Sequence, residues 1–288
     1  MTDTAMVYKN FDQEALDLQY NVRAGIPDFE SIFQRWRETS RSAVDNLKDR
    51  AHIDLKYGDD EAQSIDLFLT HESGRPLIVF IHGGYWQSLD KSYFNYLAET
   101  FVEDGFNFAT LNYRLAPTVT MDEIVSDCRE AIAWLGRHAD RFGFDLGKII
   151  VTGSSAGGHL TAMMLATDWS QYGLPGDLIA GGCALSGLYD LEPIRLCYLN
   201  GAIKLDAETA RRNSPVRNVP QKAPPLILSF GGDETSEFSA QQTDLASLWQ
   251  GQNLRCGIVH QDDGHHFDMV DRLGDRNSEI YKAVISLT

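Results

Sequence analysis

Lys148-Ile149-Ile150-Val151-Thr152-Gly153-Ser154-Ser155-Ala156-Gly157-Gly158-His159 decides the fold. The first five residues form an apolar, β-branched run of the kind that fills a buried parallel strand. From His159 the chain continues Leu160-Thr161-Ala162-Met163-Met164-Leu165-Ala166, which reads as a helix. Between them lies Gly-x-Ser-x-Gly. A strand that breaks directly into a helix through this motif holds its middle residue, Ser155, on a strained corner at the carboxyl edge of a sheet. The pattern by itself is common in loops. Its strand-to-helix setting gives it weight, and a second motif adds more.

Pro76-Leu77-Ile78-Val79-Phe80-Ile81 is the most strand-like run in the chain, and His82-Gly83-Gly84-Tyr85-Trp86 follows it at once. A glycine-rich loop at that position presents backbone N–H groups to a developing oxyanion. The expected donors are Gly84 and Tyr85, with Gly83 shaping the turn, joined by the N–H of Ala156 after the serine. An ordinary glycine turn with His82 as its cap is the alternative. The two motifs together, in this order, argue against it.

Working outward, strands are expected near 51–56, 64–69, 77–82, 106–111, 148–153, 180–185, 225–230 and 254–259. Helices are expected near 92–104, 121–139, 156–167, 237–249 and 275–286. Such alternation predicts an α/β fold: a mostly parallel eight-stranded sheet with helices on both faces, which is the strand count of an α/β-hydrolase. One domain is expected over 1–288, with a helical N-terminal segment over about 1–50. Residues 190–222 interrupt the alternation and carry Pro193, Pro215 and Pro220. They are expected to form a small helical cap over a pocket, with a plain connecting loop as the alternative.

A chain of 288 residues with formal charge −16 is large enough for one substantial core and is a poor partner for nucleic acid or anionic membranes. The start, Met1-Thr2-Asp3-Thr4-Ala5-Met6, lacks the basic and apolar pattern of a leader, and no run is long enough to span a bilayer. Cys128, Cys183, Cys197 and Cys256 are far apart with no C-x-x-C pair, so neither a disulfide framework nor a zinc site is expected. A reducing cytoplasm is the expected setting, and a homodimer is compatible with the sequence.

A serine hydroxyl needs a base to take its proton, and the base needs an orienting acid. With the order serine, acid, histidine, the acid should follow the seventh strand and the histidine the eighth. Gly231-Gly232-Asp233-Glu234 occupies the first place; His260, then Asp262-Asp263-Gly264-His265-His266-Phe267, occupies the second. The acid is Glu234 by spacing, with Asp233 as the alternative; in the former case Asp233 would cap the helix starting near Ser236. His266 is preferred over its neighbour His265, since adjacent side chains diverge, and His260 is read as a surface or packing residue. Asp262, Asp263, His265 and His266 could suggest a metal, but they are bunched in one loop with no distant partner, so no metal or other cofactor is expected.

Three further features have bland readings. His159 is expected to face outward one turn into its helix. Tyr85 and Trp86 either line a pocket for an aromatic small-molecule substrate or pack their loop against the N-terminal helices. Tyr20, Asn21 and Arg23 form a polar-aromatic cluster that could approach the pocket.

Beyond these motifs the chain resembles the kynurenine formamidase (arylformamidase) family. The resemblance rests on His82-Gly83-Gly84-Tyr85-Trp86-Gln87, Leu111-Asn112-Tyr113-Arg114-Leu115-Ala116-Pro117, Ser155 to Leu160, Ser186-Gly187-Leu188-Tyr189-Asp190-Leu191-Glu192-Pro193-Ile194, Arg212-Asn213-Ser214-Pro215, Ser236-Glu237-Phe238 and His266-Phe267-Asp268-Met269-Val270. It implies Ser155 as nucleophile, His266 as base and, counting back from Glu237-Phe238, Glu234 as acid. Animal members carry aspartate at that last position and histidine where this chain has Ser154. The implied reaction, a step of tryptophan breakdown, is hydrolysis of N-formyl-L-kynurenine to formate and kynurenine. A carboxylesterase, or an amidase or carbamate hydrolase, would use the same three groups. A non-catalytic receptor on this fold would be expected to have lost one of them.

Overall fold

The computed structural model describes residues 5–288; Met1–Thr4, part of the stretch read for a leader, lie outside the described residues. Eight strands form one sheet: β1 (Ala51–Lys56), β2 (Ser64–Phe68), β3 (Arg75–Ile81), β4 (Asn107–Leu111), β5 (Phe144–Ser154), β6 (Ile179–Leu185), β7 (Leu226–Phe230) and β8 (Cys256–His260). Their order is β1-β2-β4-β3-β5-β6-β7-β8. The first two junctions, β1 with β2 and β2 with β4, are antiparallel, and every later one is parallel. β2, β4 and β3 beyond Arg75 are buried on both sides; Pro76–Ile81 of β3 reads as an unbroken hydrophobic run, whereas β2 and β4 carry the buried polar residues Asp66 and Thr110 within theirs.

Two apolar cores flank the sheet. One packs Leu77, Val79 and Ile81 against Ile124, Cys128, Leu160 and Met164, the inner faces of the helices Met121–Arg137 and Ala156–Leu165. The other packs Ile78, Phe80 and Phe108 against Phe101, Val270, Ile280 and Val284 from the opposite layer. The helix Ala156–Leu165 is buried at every position. A helix that is apolar all round belongs inside a protein, and this one delivers the end of β5 into the core.

Several predicted bounds shift. The helix expected over 92–104 begins only at Leu97, after a 3-10 turn at Lys91–Tyr93. The helix expected over 275–286 is the shorter Glu279–Ile285, and a separate helix, Asp268–Leu273, starts right after the histidine loop. Between β6 and β7, residues 190–222 fold into the short helices Glu192–Leu196, Asn200–Ile203 and Ala207–Arg212. At the N-terminus, Gln13–Tyr20 and Phe29–Asn46 are helices joined by a 3-10 turn at Val22–Gly25.

The N-terminal segment is tied to the far end of the sheet by capping. The helix Ser236–Gly251 receives no cap bond from Thr235, its own N-cap side chain. Instead Gln19 Oε1 accepts from the Glu237 N–H and from Ser236 Oγ, while Thr235 Oγ1 donates to the Gln19 carbonyl. This borrowed cap holds the following turn, Asn21 to Gly25, at the carboxyl edge of the sheet. Among the described residues no helix is long and apolar enough to cross a membrane. The four cysteines are free, and burial pushes the Cys183 thiol up to about 12.

Candidate active site

Ser155 sits at φ 59°, ψ −118°, between the last residue of β5 and the first of its helix. A non-glycine residue in that region is strained, and the surroundings hold it there. Its N–H donates to the Leu185 carbonyl across the sheet at 2.8 Å. A Cβ on Gly157 would fall 1.9 Å from the Ile81 carbonyl oxygen, so only glycine lets the helix start this close to β3. The corner is a consequence of two strands and a helix meeting with no room between them.

The histidine and the acid arrive on two loops that are laced together. Asp233 N–H donates to the Gly264 carbonyl at 3.1 Å, and Gly264 N–H donates back to Asp233 Oδ2 at 3.0 Å. With the loops in this register, Glu234 Oε2 lies 2.6 Å from His266 Nδ1. The other oxygen, Oε1, accepts from the Gly231 N–H at 2.7 Å and from Ser186 Oγ at 2.5 Å. The structure therefore brings Glu234 to the imidazole. Asp233 faces outward and locks the loop; contrary to the expectation from sequence, it does not cap the helix that follows, whose N-cap residue is Thr235. A carboxylate can only accept, so His266 Nδ1 carries the proton of the pair, and in the neutral imidazole this tautomer puts the lone pair on Nε2.

The remaining histidines separate cleanly. His265 caps the helix Asp268–Leu273: its N–H donates to Asp268 Oδ2 and its Nδ1 accepts from the Asp268 N–H. His260 is exposed beside Asp262, and Asp263 pairs with Arg272. His159 does not face outward. It is fully buried, Nδ1 accepting from Trp86 Nε1 at 3.2 Å and Nε2 donating to the Asn213 carbonyl at 2.8 Å. Burial lowers its pKa to about 4, so it is neutral. The helix is covered there by the 190–222 segment, which sequence periodicity could not reveal.

On the loop after β3, Gly84 has φ 105°, and a Cβ there would lie 2.0 Å from the Ser88 carbonyl. Tyr85 and Trp86 follow at φ 50° and 58°. Among the described residues, the N–H groups of Gly83, Gly84 and Tyr85 donate to no protein acceptor. Ala156 opens its helix, where an N–H has no carbonyl a turn earlier to meet. His82 Nδ1 bonds the Gly83 carbonyl at 2.8 Å beneath the loop, and the ring stacks on Tyr113.

Ser155, Ser154, His266, Gly83, Gly84 and Tyr85 line a single cavity of about 340 Å³. Its walls are aromatic. Phe33, Trp36, Phe94 and Phe267 form one cluster, with Phe33 and Phe267 5.0 Å apart between ring centres and Trp36 and Phe94 5.3 Å apart. Trp36 is held in it by Asp271, which accepts from its Nε1 at 2.8 Å and from the Tyr96 hydroxyl at 2.9 Å. Tyr198 and Leu199 of the 190–222 segment, and Asn21, Val22 and Arg23 of the N-terminal turn, complete the rim. Trp86 is not part of the lining; it is buried behind the loop on His159. Tyr20 also stays out, its hydroxyl bonded to Glu237. Sequence reasoning missed Ser186 and the aromatic wall of Phe33, Trp36 and Phe94.

The sheet order, the serine corner and the paired histidine and carboxylate define an α/β-hydrolase. The family profile described as BD-FAE matches residues 65–181. The kynurenine formamidase of Salmo salar is 30% identical, over 82% of this chain and 81% of its own length. That of Danio rerio is 28% identical, over 97% and 98%. A solved structure from a Silicibacter species, provisionally described as a thioesterase, superposes with a TM-score of 0.83 at 31% identity, covering 94% of this chain and 98% of its own. The chain belongs to the kynurenine formamidase family.

Proposed function

We propose that this enzyme hydrolyses an aryl formamide, N-formyl-L-kynurenine, to kynurenine and formate, with Ser155 as nucleophile, His266 as general base and acid, and Glu234 as orienting carboxylate. The observation that carries the reading is the cavity itself, an aromatic chamber opening onto Ser155 and the free edge of His266. The names of the two fish relatives agree with it. A formyl group offers almost no surface to recognise, so the aryl amine must supply the binding energy, and aromatic walls suit it.

In this mechanism His266 Nε2 takes the Ser155 hydroxyl proton as Oγ attacks the formyl carbon. The carbonyl oxygen becomes an oxyanion and accepts from the N–H groups of Gly84, Tyr85 and Ala156, with Gly83 shaping the turn. Glu234 steadies the imidazolium through Nδ1. The C–N bond then breaks as His266 returns the proton to the aniline nitrogen. Water, deprotonated by the same Nε2, attacks the formyl ester and releases formate and Ser155. Residues 190–222 act as a cap through Tyr198 and Leu199, shared with the N-terminal turn.

The Silicibacter match, described as a thioesterase, favours a second reading, an esterase working with the same three residues. Steady-state kinetics on N-formyl-L-kynurenine beside p-nitrophenyl acetate decide between them. A kcat/KM for the formamide of about 10⁴ M⁻¹s⁻¹ or above is expected, the ordinary range for a physiological substrate. Ser155→Ala should lower it by roughly 10⁴- to 10⁶-fold. Weak formamide turnover with brisk, Ser155-dependent ester turnover would move the protein to the esterase reading.

A further inference from the structure

The cavity carries one permanently charged side chain, Arg23. Every other lining residue is neutral or, in His266, committed to Glu234. The guanidinium lies over two aromatic faces, 5.2 Å from the Phe29 ring centre and 5.7 Å from that of Phe33. Phe33 is itself a cavity wall, and so is Tyr198, on whose hydroxyl the Arg23 charge acts. Among the described residues Arg23 forms no ion pair and donates no hydrogen bond, whereas most other arginines of this chain have a carboxylate partner. Beside it, the side-chain amides of Asn21 and Gln87, also lining residues, are equally uncommitted. In a chain of net charge −16, a cation left unpaired at the mouth of the reacting cavity is notable, because the long-range field would repel an anion from it.

We propose that Arg23 is the anion subsite of this cavity, and that it selects substrates whose leaving aryl group carries a carboxylate. This rests on the hydrolase reading of Ser155 and deepens it. The aromatic walls take the ring, and the planar guanidinium, oriented by stacking on Phe29 and Phe33, takes the carboxylate in a two-pronged contact. Asn21 is placed to donate to the same group. N-formyl-L-kynurenine has such a carboxylate at the far end of its side chain from the formamide. The subsite thereby separates an amino-acid aryl formamide from a plain one, which the aromatic walls alone cannot do.

Two matched substrate pairs test this. The formamide pair is N-formyl-L-kynurenine and 2-formamidoacetophenone, which keeps the ring and ketone but lacks the amino-acid end. The ester pair is 3-(2-acetoxyphenyl)propanoate and its neutral carboxamide. For each pair the readout is the ratio of kcat/KM, charged over neutral. Arg23→Gln should lower that ratio by about tenfold, chiefly through KM, the size expected of a charge-assisted contact at a partly open site. Arg23→Glu should lower it further and Arg23→Lys should restore part of it. Raising salt to about 0.5 M should erode the wild-type ratio and leave that of Arg23→Gln flat.

A ratio that stays the same in Arg23→Gln, both members falling together, would make Arg23 a structural residue and overturn the proposal. The ester pair keeps the two readings apart. If the formamides are not turned over but the charged ester is favoured through Arg23, the subsite stands and the formamidase reading falls. If the formamides are turned over with no effect of Arg23 on the ratio, the reverse holds.

Discussion

Two buried hydrogen-bonded pairs stand near opposite ends of the same sheet, and they are built to different standards. Near the antiparallel end, Lys91 and Asp66 have side chains only 7% and 2% exposed and bond at 2.5 Å. Both members have further partners: Asp54 pairs with Lys91, Asn95 donates to Asp66 Oδ2, the Asp54 N–H donates to Oδ1, and Thr110 donates to Asn95. At the parallel end, Glu234 and His266 are as hidden, at 2% and 4%, and bond at 2.6 Å. There the carboxylate accepts from Ser186, Gly231 and His266, but the imidazole keeps one nitrogen free toward a cavity. Low dielectric makes an unfilled polar group costly, so a pair left incomplete beside a strained serine reads as a working part, and a completed one as a strut.

The sharpest way to break this contrast is at the histidines. His266→Ala should lower kcat by roughly 10⁴-fold or more, while His265→Ala, which removes only a helix cap, should cost about tenfold or less. Rates on p-nitrophenyl acetate check both, and the opposite ranking would reassign the base. Next comes the acid. Glu234→Gln preserves shape but lets the imidazole settle in the wrong tautomer, and should cost roughly 10³- to 10⁴-fold in kcat. Asp233→Asn should act mainly on stability, through the lacing to Gly264, and a larger rate loss there than at Glu234 would exchange their roles.

Spacing in the chain favoured Glu234 but left Asp233 open, and the reason is physical. The sequence near 231–234 offers two adjacent carboxylates, and which one meets the imidazole is set by the register between two loops 30 residues apart. The serine corner was legible because it is a local backbone demand: a strand, a helix and glycines where no Cβ fits. The sheet was legible because strands buried on both faces read as apolar runs. The cavity wall was not, since Phe33, Trp36, Phe94 and Phe267 meet only after the N-terminal helices dock across β3 and the histidine loop. Trp86 and His159 mislead for the same reason. Their positions depend on a bond spanning 73 residues and on the 190–222 segment, whose carbonyl at Asn213 has no signature in sequence.

The completed pair can be tested as a strut. Asp66→Asn removes the buried partner and leaves Lys91 with Asp54, which is largely exposed. Stripping one member from a buried pair is expected to destabilise the fold by about 3 kcal/mol. Denaturant unfolding measures the loss, and kcat per folded molecule should hold near wild type. A marked fall in kcat at full folding would mean that the far flank communicates with the site, and the division drawn above would fail.

The smallest effect probes two histidines with no place in the chemistry. His82 and His159 are fully buried, and burial lowers each from the ordinary 6.5 to about 4. Both are neutral in either state above pH 6.5, so they add no pH dependence there. Below it the unfolded chain binds protons that the folded one refuses, and stability falls until the folded groups titrate near 4, by at most roughly 3 kcal/mol per histidine. Between pH 6.5 and 5 ordinary carboxylates are still ionised, so that window isolates the histidines. His82→Phe, which retains the stack on Tyr113, should flatten the slope of stability against pH by about one bound proton over that range. An unchanged slope would mean that His82 already takes up a proton in the folded protein, through water reaching its Nε2. That outcome would place a charged group directly beneath the glycine loop after β3, and the line between working and supporting histidines would have to be redrawn.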